Sequence, residues 1–131
     1  MNMVFVKNEK KYWEFIRELR NNPKVKGGFI TQNEITQEQQ ACYMTQHNDN
    51  FYVCLWGDTP VGYVGVINED IRVATHPDFQ GRGVGKFMIN ELMKKYPDST
   101  AKVKIQNVAS LKLFQACGFK KKYYLLEKNG E

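Results

Sequence analysis

Apolar positions change period several times along the chain, and each change marks an element. Val4-Phe5-Val6 is a short apolar run that predicts a first strand. Over Lys10 to Arg20, the residues Tyr12, Phe15, Ile16 and Leu19 recur at three- and four-residue spacing, which predicts an amphipathic helix. Asn21-Asn22-Pro23 ends it, because the residue before a proline is pushed away from helical geometry. Gly27-Gly28 marks a loop. Thr36 and Gln39 have the spacing of a capping box, so a second helix is expected from about Gln37 to His47.

The middle of the chain is β-rich. Phe51 to Trp56 and Val61 to Ile67 flank the turn Gly57-Asp58-Thr59-Pro60 and read as a hairpin. Asp70 to Thr75 is a further strand, stopped by Pro77 and the glycines that follow. From Gly83 to Tyr96, Val84, Phe87, Met88, Leu92 and Met93 share one helical face, and Pro97 ends that helix. Ala101 to Ile105 alternates as a strand. Ser110 to Cys117 is a fourth helix with Gly118 at its C′ position, and Phe119 to Lys128 reads as a final strand. The order β-α-α-β-β-β-α-β-α-β predicts an α/β fold built on a mixed, partly parallel sheet, with a single domain over residues 1–131.

Composition narrows the classes. The 131 residues are 42% hydrophobic and 25% charged, which excludes a disordered, collagen-like or disulfide-scaffold chain. No run approaches the ~20 apolar residues of a membrane span. Met1 to Lys11 lacks the apolar core of a secretion signal, so a cytoplasmic protein without membrane contact is expected. The net charge of +5 suits an anionic ligand, yet no basic run accompanies a nucleic-acid motif, so no nucleic-acid partner is expected. Cys42, Cys54 and Cys117 form no CxxC pair, which predicts free thiols and no metal site.

Gln80-Gly81-Arg82-Gly83-Val84-Gly85-Lys86 carries the clearest chemistry. It lies between a strand and a helix, where glycines admit a ligand to the backbone and unpaired helix amides attract anions. A Walker loop fails, since Gln80 replaces the first glycine and Phe87 the metal-binding hydroxyl. A dinucleotide fingerprint fails, since its third glycine comes one residue early at Gly85. Gln-x-x-Gly-x-Gly remains, alongside a turn that only joins strand to helix.

That pattern, with Thr75-His76-Pro77-Asp78-Phe79 before it, resembles the GNAT superfamily of acetyl-coenzyme A-dependent N-acetyltransferases. A second motif, Asn107-Val108-Ala109-Ser110 through Phe114 to Cys117-Gly118-Phe119, resembles the family's Asn-x-x-Ser helix ending in Gly-Phe. The resemblance implies a central mixed sheet whose fourth and fifth strands splay to admit acetyl-CoA, flanked by four helices and here with a shortened C-terminus. It implies that Val73, Ala74 and Thr75 serve the pantetheine and thioester through their backbones. Gln80, Gly81, Arg82, Gly83, Val84, Gly85 and Lys86 would hold the pyrophosphate, and Asn107 the pantetheine arm. The implied reaction is direct attack by an acceptor amine, with no acyl-enzyme and no metal.

The chemistry needs a base for the acceptor ammonium. Glu69, placed on a strand face with Ile71, Val73 and Thr75, and its neighbour Asp70 are the candidates, alongside the reading that both are turn carboxylates. Many relatives place a proton-donating tyrosine where this chain has Phe114, which lines the cofactor site without a proton to give. Leu19-Arg20-Asn21-Asn22-Pro23 resembles a segment of the branch with amino-sugar N-acetyltransferases and some ribosomal-protein acetyltransferases. Arg17 and Arg20 are candidate phosphate contacts there, and Arg20, Phe29 and Tyr43 candidate acceptor-site residues. The implied partner is a small-molecule amine, for a monomer or homodimer. A protein N-terminus or lysine as acceptor, and a non-catalytic CoA-binding module, are the competing readings.

Overall fold

The computed structural model describes residues 2–30 and 33–128. Strands β1 (Met3–Lys7), β2 (Phe51–Trp56), β3 (Thr59–Ile67) and β4 (Asp70–Thr75) form one sheet in the order β1-β2-β3-β4, with every neighbouring pair antiparallel. Helices α1 (Trp13–Asn21), α2 (Pro23–Lys26) and α3 (Gln37–His47) precede β2, while α4 (Val84–Lys95) and α5 (Val108–Ala116) follow β4. The short α2, capped by the Asn22 side chain, is an addition to the four helices expected. The Thr36–Gln39 capping box at α3 is present in both directions.

The sheet divides two cores because its strands alternate faces. On one side Ile16, Leu19 and Met44 from α1 and α3 pack on Phe51, Val53, Tyr63 and Ala74. On the other, Val84, Met88, Ile89 and Leu92 of α4 pack with Phe114 on Cys54, Val61, Val64, Val66 and Ile71. Asp70, Arg72 and Ala74 therefore share the α1 face of β4, and Ile71, Val73 and Thr75 the α4 face.

The parallel component of the sheet is confined to one step. Asp70 bridges Thr100 in parallel, the Ile71 N–H donating to the Thr100 carbonyl at 2.9 Å and the Thr100 N–H to the Glu69 carbonyl at 2.7 Å. The chain then leaves β4, so Ala101 to Ile105, expected as a paired strand, runs without a ladder. This is the expected splay, carried far enough that the fifth segment loses its pairing. Phe119 to Lys128 is likewise not a strand, and Tyr123, Tyr124, Leu125 and Leu126 are exposed. Alternating apolar residues become a strand only where a neighbouring ladder accepts their backbone, and the 101–105 segment offers none. Residues 129–131 of the expected C-terminus lie outside the described residues.

A second difference concerns Glu69. Asn68 and Glu69 have φ of 52° and 64°, the paired left-handed residues of a type I′ turn that closes β3 onto β4. Glu69 is thus at the tip of a two-residue hairpin, not on the strand face with Ile71, Val73 and Thr75.

Candidate functional site

The splay opens a cleft of about 830 Å³ along the edge of β4. One end is built by the glycine loop. Gly81 and Gly83 have φ of 76° and 85°, and Gly83 is the N-cap of α4 without a side-chain cap. The first helical bond runs from the Phe87 N–H to the Gly83 carbonyl, so the amides of Val84, Gly85 and Lys86 have no acceptor within the helix. A Cβ at Gly81 or Gly83 would stand in open space. The result is a cradle of amides at the positive end of a helix dipole, with Lys86 beside it. Gly85 serves packing instead. A Cβ there would sit 2.8 Å from Leu113 Cδ2, so its absence lets α4 and α5 close together.

The middle of the cleft is the free edge of β4. In an antiparallel ladder, alternate residues turn both backbone groups toward the same neighbour. The Ile71 N–H reaches outward to Thr100 and the His76 N–H inward to the Val61 carbonyl. Val73 and Thr75 therefore turn their backbone groups outward with Ile71, Val73 at the bare part of the edge. The Thr75 carbonyl is approached by Gln80 Nε2 at 3.4 Å. Val73, Ala74, Thr75, Gln80, Gly81, Gly83, Val84, Gly85 and Lys86 all line the cleft.

Asn107 and Phe114 close this half from α5. Asn107 caps the helix, its Oδ1 accepting the Ser110 N–H at 3.1 Å, while Nδ2 approaches the loop at Gly28. Phe114 is buried and fixed by the helix terminus: the Phe119 N–H returns to the Phe114 carbonyl, the Gly118 N–H to Gln115, and the two phenyl rings meet at 5.1 Å. These bonds form a Schellman motif with its apolar clasp.

The other end collects polar groups on the α1 side of the sheet. Asp70, Arg72, Tyr63, Arg20, Lys24, Phe29 and Lys102 line it. Asp70 Oδ2 accepts from Arg72 Nε at 3.0 Å, and Asp70 Oδ1 is buried without a partner. The Tyr63 hydroxyl and Arg20 Nε are buried and unpartnered too. Burial pushes the Tyr63 phenol up to about 12, against the opposing charges of Arg20 and Arg72. The Arg20 guanidinium lies 5.2 Å from the centre of the Phe29 ring.

Four expected site residues stand elsewhere. Glu69, in its turn, does not line the cleft. Arg82 projects over Phe79 and Trp56, at 5.3 and 6.0 Å from their ring centres, rather than into the cleft. Tyr43 packs behind the wall against His47 and Phe51, its phenol also pushed up by burial. Arg17 is committed to Glu14 at 2.6 and 2.8 Å and to the Ile35 carbonyl, and it holds the Glu14 carboxyl at about 2. Neither Cys54, pushed up to about 11 by burial, nor Cys117, also raised, lines the cleft.

Sequence reasoning passed over Tyr63, Arg72 and Lys24. Tyr63 read as one more apolar strand residue. Its register partner is Ala74, on the same face as Asp70 and Arg72. Counting alternate residues across that hairpin would have joined Tyr63 and Arg72 to Asp70, whereas Lys24 lies on α2, beyond the reach of that count.

A family model for the acetyltransferase (GNAT) family matches residues 13–119. No curated protein matches by sequence. Among solved structures, a spermidine N-acetyltransferase from Vibrio cholerae, in complex with CoA and spermine, superposes with a TM-score of 0.80 at 21% identity, covering 96% of this chain and 85% of that one. A ribosomal-protein-alanine N-acetyltransferase from Brucella melitensis gives 0.78 at 14% identity, covering 89% and 84%. An N-acetyltransferase from Staphylococcus aureus Mu50 gives 0.75 at 17%, covering 92% and 84%. With the family match spanning most of the chain, and the glycine loop, open β4 edge and capped α5 in place, the chain belongs to the acetyltransferase (GNAT) family, the acetyl-coenzyme A-dependent N-acetyltransferases.

Proposed function

We propose that the protein acetylates the primary amine of a small molecule, a nucleotide-linked amino sugar among the candidates, by direct attack in a ternary complex. One observation carries this reading. A single cleft joins an amide cradle for an anion, a bare strand edge and a carboxylate with an unpaired oxygen.

The residues fit acetyl-CoA. The amides of Val84 to Lys86, the open space at Gly81 and Gly83, and the Lys86 ammonium suit a pyrophosphate. Val73 and Asn107 Nδ2 offer groups to an amide-bearing arm. When bound, acetyl-CoA supplies a thioester carbonyl open to an amine and a thiol that can leave. On the acceptor side, Asp70 Oδ1 takes the proton from the ammonium, freeing the lone pair for attack. The Arg72 bond to Oδ2 holds that carboxylate in place. The absence of any cysteine from the cleft lining, among the described residues, supports transfer without an acyl-enzyme. Phe114 donates no proton, so the departing thiolate, of ordinary pKa near ~8.5, is protonated by water.

A lysine or peptide N-terminus as acceptor favours an acidic groove, and among the described residues Asp70 is the only carboxylate lining this one. A non-catalytic CoA-binding module draws support from Phe114 alone. Free-thiol release from acetyl-CoA across a panel of amines and peptides separates the readings. Thiol release with a small amine, above the rate without one, is the expected result. CoA binding with no release from any acceptor would leave the binding module, and failure to bind CoA would remove the glycine-loop reading as well.

A further inference from the structure

We infer that the acceptor amine also carries an anionic group, held by Arg20 and Lys24 while Asp70 receives the ammonium. This rests on the acetyltransfer reading and names the acceptor class for the same cleft. Three of the four buried, unpartnered side-chain atoms among the described residues belong to cleft-lining groups: Arg20 Nε, the Tyr63 hydroxyl and Asp70 Oδ1. Tyr63 is 1% exposed, and its hydroxyl faces the Arg20 side chain, which favours the ionised phenol without closing a well-formed hydrogen bond. Buried polar groups without partners are costly, and clustering at one end of a cavity points to a ligand that completes them.

The charges define that ligand. Away from Lys86, the cleft is lined by Arg20, Lys24, Arg72 and Lys102 against Asp70. Asp70 and Arg72 neutralise one another. Arg20, Lys24 and Lys102 make no ion pair among the described residues. Arg17, by contrast, is already engaged by Glu14. The acceptor end thus keeps three uncompensated cations and one carboxylate oxygen. A polycationic amine is repelled there, while an amine bearing a phosphate or carboxylate satisfies both ends. The Arg20 guanidinium, 5.2 Å from the centre of the Phe29 ring, carries the forked N–H donors that suit a two-oxygen anion.

The test compares glucosamine 6-phosphate, glucosamine, L-serine and spermidine, as substrates with acetyl-CoA and as ligands of the CoA-bound protein by calorimetry. Glucosamine 6-phosphate is expected to exceed glucosamine at least ~10-fold in kcat/KM or affinity, the value of one hydrogen-bonded charge contact. L-serine distinguishes a carboxylate from a phosphate as the anion. Arg20→Gln, and the exposed Lys24→Gln, should each shrink the phosphorylated-to-neutral ratio. Arg20→Lys should restore part of it, and raised salt should also lower it. Spermidine or glucosamine equal to or better than both anionic amines would overturn the inference, and so would a ratio unchanged in both Gln variants. Calorimetry keeps this test separate from catalysis: a phosphate preference in binding with no thiol release sinks the acetyltransfer reading alone.

Discussion

Tyr63 places a hydroxyl where stability and function oppose one another. A buried hydroxyl without a partner costs about 1–3 kcal/mol relative to an apolar group of the same shape. Tyr63→Phe should therefore raise the melting temperature by a few degrees while raising the acceptor KM severalfold. Thermal melting and steady-state kinetics check the pair, and a lowered melting point with unchanged KM would refute it. The same phenol sets an alkaline signature. Its folded-state value near 12 lies above the ordinary 10.0, so its contribution is fully present below pH 10 and is lost as pH rises toward 12. Tyr63→Phe should flatten stability over that window, leaving the residual slope from Cys54, Cys117, Tyr43 and Tyr52, which burial also raises. At the neighbouring carboxylates the expectation divides. Asp70→Asn should lower turnover ~10²-fold or more, whereas Glu69→Gln should stay within about twofold. The reverse pattern would move the base to the hairpin turn. The sequence could not separate these two residues, because a glutamate in left-handed geometry carries no glycine to announce it.

At the scale of elements, the legible features were those decided by neighbours in sequence. The Thr36–Gln39 box, the stop at Asn22-Pro23 and the Gly118 cap each rest on contacts a few residues apart, and the structure contains all three. The 101–105 and 119–128 segments had strand composition but depended on distant partners, which composition does not record. The glycine loop lies between these cases, because its two kinds of glycine look alike in sequence. Gly85→Ala would drive a methyl into Leu113 and should destabilise the α4–α5 contact by about 1–3 kcal/mol. Gly83→Ala meets no atom, but at φ 85° it should cost about 1–2 kcal/mol in strain and weaken CoA binding by distorting the amide cradle. Calorimetry with CoA and thermal melting tell these effects apart. Equal stability loss with equal affinity in both variants would count against a cradle at Gly83.

For the molecule as a whole, two cores share one sheet, and the chain beyond Phe119 belongs to neither. Phe119 is the last residue that holds the fold together, since its N–H and ring complete the end of α5. Lys120 to Lys128 are exposed, and Tyr123 to Leu126 form a run of four apolar side chains facing solvent. Residues that bury nothing contribute little to folding free energy, while an exposed apolar run promotes association on heating. Ending the chain after Lys122 should therefore leave the melting temperature within about 2 °C and reduce aggregation during the scan. Ending it after Cys117 removes the Gly118 and Phe119 bonds to the last turn of α5 and uncovers Phe114. That variant should lose about 1–2 kcal/mol and several degrees, with weaker CoA binding because Phe114 lines the cleft. Calorimetric melting and light scattering on both truncations decide the matter. If the Lys122 truncation melts as low as the Cys117 truncation, the tail is packed in solution and the free-segment argument fails.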